Sequence, residues 1–71
     1  MIDMELIFAD TLTPDQLMEN DIIEHEGEYV VVKSVNDTLA GYLIETENDF
    51  GETVEIEASD DTKLSWYVYI E

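Results

Sequence analysis

The stretch Asp21-Ile22-Ile23-Glu24-His25-Glu26-Gly27-Glu28-Tyr29-Val30-Val31-Val32-Lys33-Ser34-Val35 decides the fold class. Val30-Val31-Val32 is a run of β-branched residues, which fit a pleated, half-buried surface better than a helix. Glu26-Gly27 is a two-residue break, and glycine takes the positive φ that a tight hairpin needs. Counting outward from that break predicts two strands, 21–26 and 28–35, with Ile23 opposite Val30 and Ile22 opposite Val31. Asn36-Asp37-Thr38, rich in turn-forming side chains, is expected to end the second strand.

The same pattern continues downstream. Leu39 to Asn48 and Glu52 to Ala58 read as a second hairpin, joined by Asp49-Phe50-Gly51 with Gly51 in the left-handed region. That register sets Asn48 opposite Glu52, Thr46 opposite Val54, Ile44 opposite Ile56 and Tyr42 opposite Ala58. Glu45, Glu47, Glu55 and Glu57 then share the other face. Ser59-Asp60-Asp61-Thr62 is a further polar turn. It leads into Leu64-Ser65-Trp66-Tyr67-Val68-Tyr69-Ile70, whose alternation turns Leu64, Trp66, Val68 and Ile70 inward and Ser65, Tyr67 and Tyr69 outward. Upstream, Met4 to Phe8 reads as a short first strand. Thr13-Pro14-Asp15-Gln16 carries a cap, a proline suited to the first helical position and the spacing of a capping box, so one helical turn is expected. Five or six short strands with one helical turn predict a mostly-β domain, either a small SH3-like barrel or a strongly bent antiparallel sheet.

The segment Leu17-Met18-Glu19-Asn20-Asp21-Ile22, followed by the Glu26-Gly27 hairpin and its valines, resembles the opening of SH3-like barrels. The N-terminal domain of elongation factor P and small phage and bacterial barrels are of this type. Asn20 stands where those barrels carry glycine, and asparagine tolerates the left-handed conformation required there. The resemblance implies a fold. The basic residues with which elongation factor P handles RNA are absent, so its RNA-related function does not carry over.

Totals set the outer limits. A chain of 71 residues is one domain, 1–71, with a thin core. Its 45% hydrophobic content, clustered in β-branched and aromatic residues, argues against disorder. With no cysteine there is no disulfide and no thiolate metal site. No apolar run reaches a membrane span, and Met1 to Glu5 is acidic where a secretory leader is basic, so a soluble cytoplasmic protein is the expectation.

Charge dominates everything else. Nineteen Asp and Glu face only Lys33 and Lys63, giving a net charge of -17. The acids run through the whole chain rather than forming a tail. Such a field repels nucleic acid and membranes and attracts basic surfaces. General acidity, a halophilic origin and solubility are the competing accounts. Against the halophilic one, arginine is absent and Glu outnumbers Asp, eleven to eight.

Catalytic and metal motifs are weak. The single histidine, His25, sits at a turn, and no serine lies in a nucleophile motif. Carboxylate pairs are too abundant to be informative, and so short a chain has little volume for a cleft. Placing Gly51 at the sixth position of an EF-hand loop puts Thr46 first and Phe50 fifth, which fails the calcium motif. No cofactor and no enzyme activity are expected. The sharper feature is Glu45 directly opposite Glu55 with no cation placed to relieve the pair. Tyr29, Tyr67 and Tyr69 are expected to face outward among acids, where tyrosine often anchors an interface. The expected function is a non-enzymatic binding protein. It occupies a basic, nucleic-acid-binding surface of a partner such as a nuclease, polymerase or restriction enzyme, as small acidic phage proteins do, through Glu45, Glu47, Glu55, Glu57, Tyr67 and Tyr69. An acidic interaction module, or a structural or virion component, is the alternative.

Overall fold

The computed structural model describes residues 5–70 and comprises six antiparallel strands and one 3-10 turn. The strands are β1 (Glu5–Leu12), β2 (Ile22–His25), β3 (Glu28–Thr38), β4 (Gly41–Glu47), β5 (Thr53–Ala58) and β6 (Leu64–Ile70). They form one open sheet in the order β1-β6-β2-β3-β4-β5, with β1 and β5 at its edges. The mostly-β expectation holds. The acidic stretch Met1 to Met4, and with it the expected start of the first strand, lies outside the described residues.

Both local hairpins fold in the register expected of them. Ile22 pairs with Val31 and Ile23 with Val30. The connecting Glu26 and Gly27 have φ of 51° and 82°, the two left-handed residues of a turn whose twist matches the strands. Tyr42, Ile44, Thr46 and Glu45 pair with Ala58, Ile56, Val54 and Glu55. Gly51 closes that loop at φ 78°. Asn48 organises it, its Oδ1 accepting from the backbone N–H of Phe50 at 2.9 Å and of Glu52 at 3.0 Å. Asn20 adopts φ 77°, a left-handed conformation that asparagine tolerates.

Thr13-Pro14-Asp15-Gln16 makes the expected single turn, Pro14–Gln16. The Gln16 side chain accepts the Thr13 N–H at 3.0 Å. Leu17 follows and drops into the core formed by Ile23, Val30, Val32, Ile44, Ile56 and Leu64, all on the inner face. Thr46 is also fully buried there, and its hydroxyl donates to the Val54 carbonyl at 2.7 Å.

Three expectations are corrected. Asn36-Asp37-Thr38 is strand, not turn: Asn36 pairs with Leu43, Asp37 with Tyr42 and Thr38 with Gly41. The corner falls instead on Leu39-Ala40, because Gly41 must follow it. A Cβ at Gly41 would lie 2.3 Å from the Ala58 carbonyl oxygen, so only glycine lets β4 approach β5 there. The first strand runs on to Leu12, because the whole of β6 is available to pair with it, from Glu5 opposite Ile70 to Leu12 opposite Leu64. Ile70 lies on the inward side of the alternation yet is exposed. β2 pairs with β6 only at Ile22–Tyr67 and Ile23–Trp66, so the far end of β6 has β1 alone beside it.

Candidate functional site

The outer face of the sheet divides into two halves. On β4 and β5 it is acidic. Glu45 faces Glu55 across the strands, Glu47 faces Thr53, and Glu57 faces Leu43. Directly opposed side chains on antiparallel strands have Cβ atoms roughly 5 Å apart, so Glu45 and Glu55 are like charges on neighbouring cross-strand positions. On the other side of Glu45 lies Ser34, and beside Glu47 lies Val31. Lys33 is the extra residue where the β3–β4 register shifts between Val32 and Ser34. Among the described residues the one contact within ion-pair distance is His25 Nε2 to Glu26 Oε2, at 4.0 Å. Among the described residues neither Lys33 nor Lys63 lies within ion-pair distance of a carboxylate.

On β1, β6, β2 and β3 the same face is aromatic. Phe8 pairs with Tyr67, and Tyr67 with Ile22. The Phe8 and Tyr67 rings meet edge-to-face with centroids 5.9 Å apart and planes at 80°. Tyr29 reaches across β2 to Tyr67 with centroids 4.9 Å apart and planes at 75°. The Tyr67 hydroxyl donates to Glu24 Oε1 at 3.0 Å. That hydrogen bond, together with partial burial and the Glu24 charge, holds the Tyr67 hydroxyl above its ordinary pKa. Tyr29 and Phe8 remain 42% and 54% exposed although they pack on Tyr67, so the cluster is a surface feature.

Glu45, Glu47, Glu55 and Glu57 are thus gathered on one face, with Tyr67 on it as well. The row Tyr67–Ile22–Val31–Glu47 spans three strand spacings, about 14 Å. Tyr69 stands apart. It pairs with Leu6 at the projecting end of β6, beyond the last contact with β2, and does not adjoin the acids. Sequence reasoning missed Phe8 and Glu24 as members of the aromatic cluster. Glu24 was legible as the cross-strand partner of Tyr29, but Phe8 enters through the β1–β6 pairing, which joins opposite ends of the chain and leaves no local trace.

A concavity lies where the ends of β3, β4 and β5 meet the turn before β6. It is an open cleft of about 390 Å³ lined by Thr38, Tyr42, Ala58, Ser59 and Thr62, with Glu57 its one carboxylate. It is larger than the chain length suggested. Partial burial, then the charges of Asp60, Asp15 and Asp37, push the Tyr42 hydroxyl above its ordinary pKa. Among the described residues no three carboxylates or histidines are grouped closely enough to hold a metal ion. No helix there is long and apolar enough to cross a membrane. Comparison with protein-family models, curated proteins and solved structures finds no match.

Proposed function

We propose that this chain is a non-enzymatic acidic binding protein that occupies a basic, nucleic-acid-binding surface of a partner protein. The observation that carries this reading is the opposed Glu45–Glu55 pair, with Glu47 and Glu57 on the same face and no lysine in ion-pair contact with any of them. The free domain bears that repulsion, and a cationic partner would relieve it. Carboxylates would stand in for phosphates and accept charge-assisted hydrogen bonds from the partner's Lys and Arg. Nucleases, polymerases and restriction enzymes present such surfaces.

A second reading is supported by the aromatic half of the face. Exposed rings next to acids suit an interaction module whose charge steers association without imitating nucleic acid. Capture of partners from a lysate at low and high salt, followed by challenge with duplex DNA, separates the two. A mimic's captured proteins are nucleic-acid-binding and DNA releases them. A partner that stays bound in the presence of excess DNA defeats the mimicry reading and leaves the interaction module.

A further inference from the structure

The aromatic cluster has a composition that a purely electrostatic surface does not need. Phe8 and Tyr29 stand nearly perpendicular to Tyr67, so ring faces are turned in more than one direction. Glu24 is pinned beside them by the Tyr67 hydroxyl through one of its two oxygens, leaving the other oxygen and further lone pairs available. A ring face attracts a cation, and a carboxylate at its rim holds the donors that the cation carries.

We propose that Phe8, Tyr67, Tyr29 and Glu24 receive an arginine side chain of the basic partner. The inference rests on the binding role argued above and names the chemistry of its second contact. Arginine is favoured over lysine because the planar, weakly hydrated guanidinium stacks on a ring while its edge donates to a carboxylate. A lysine ammonium is a compact, strongly hydrated point charge and does only part of this. Stacked nucleic-acid bases also use such rings, but their phosphates would meet Glu24 and a net charge of -17. A second copy of the chain would bring the same charge against itself.

The test uses three probes on the whole chain: a peptide of alternating Gly and Arg, one of alternating Gly and Lys with equal length and charge, and single-stranded oligothymidine. Binding is followed by nuclear magnetic resonance, reading the Tyr29 and Tyr67 ring protons. The arginine peptide is expected to bind roughly two- to fivefold more tightly than the lysine peptide while shifting both rings. Tyr29→Leu, which keeps an apolar side chain but removes the ring, should erase that margin and leave lysine affinity in place. Phe8→Leu on the edge strand is the same test should Tyr29→Leu fold poorly. Glu45→Gln with Glu55→Gln should weaken both peptides alike and preserve the margin. Equal affinity for the two peptides, or a margin that survives loss of the ring, overturns the arginine site and leaves the acidic-face reading standing. Unchanged peptide affinity in the Glu45/Glu55 variant does the reverse. If neither peptide binds, both fall. Oligothymidine binding that shifts the rings assigns the cluster to nucleic acid and overturns the proposal.

Discussion

Glu26 sits at φ 51°, a conformation that l-residues other than Asn, Asp and Gly adopt at a cost of roughly 1 kcal/mol. Its side chain is exposed, and its nearest ion-pair partner, His25, lies at the limit of ion-pair distance. Glu26→Asn should therefore stabilise the domain by about 0.5–1 kcal/mol in urea unfolding, since Asn-Gly is the favoured pair for this turn. A variant no more stable than the parent would mean that Glu26 contributes something beyond the turn. Gly41 makes the opposite case, because any Cβ there meets a backbone carbonyl that cannot swing away. Tyr67 offers a residue-scale measurement. Its raised pKa means that the neutral, hydrogen-bonded hydroxyl stabilises the fold fully below the ordinary value of 10.0, and that the contribution is lost as pH rises through the folded value. In an ultraviolet titration of the native protein, Tyr42 and Tyr67 should ionise at higher pH than a free tyrosine, and Tyr67→Phe should reduce the amplitude of that late ionisation. An unchanged late amplitude in that variant would rule out the Tyr67–Glu24 hydrogen bond in solution.

At the scale of elements, legibility in the sequence follows the length of chain that a contact closes. The β2–β3 and β4–β5 hairpins close two and five residues between paired strands, and turn chemistry plus alternation fixes their registers. That is why the opposed Glu45 and Glu55 were readable without coordinates. The β1–β6 pairing closes most of the chain, and no turn specifies it. The register shifts in β1 between Phe8 and Asp10, and in β3 around Lys33, are single-residue insertions that alternation alone cannot locate. So the acidic half of the outer face was legible and the aromatic half was only partly so. The acidic half carries its own prediction. Glu45→Gln together with Glu55→Gln should raise stability by about 0.5–1 kcal/mol, because like charges directly opposed on neighbouring strands repel and the amides do not. Partner binding should weaken in the same double variant. The two effects must have opposite signs, and a variant that is stabilised yet binds as well as the parent would move the contact to another surface.

Across the whole molecule, repulsion acts at two ranges, and salt tells them apart. The domain measures 46 × 25 × 20 Å, so most pairs among its acids lie farther apart than the Debye length of about 10 Å at 0.1 M salt. The opposed Glu45–Glu55 pair lies within it and is screened less than the rest until about 1 M, where the length falls to roughly 3 Å. The thermal midpoint of the free protein should therefore climb steeply between low salt and about 0.15 M as the body-wide field of -17 is screened, then more gradually. The advantage of the Glu45/Glu55 double variant should persist across the first rise and shrink across the second. Partner affinity should move the other way throughout, because the field that strains the free domain is the one that draws a basic surface to it. A calorimetric salt series on parent and double variant, beside a binding series in the same buffers, measures both. A midpoint that stays flat up to moderate salt would show that the carboxylates are already compensated within the fold. Their repulsion would then no longer be available for a partner to relieve.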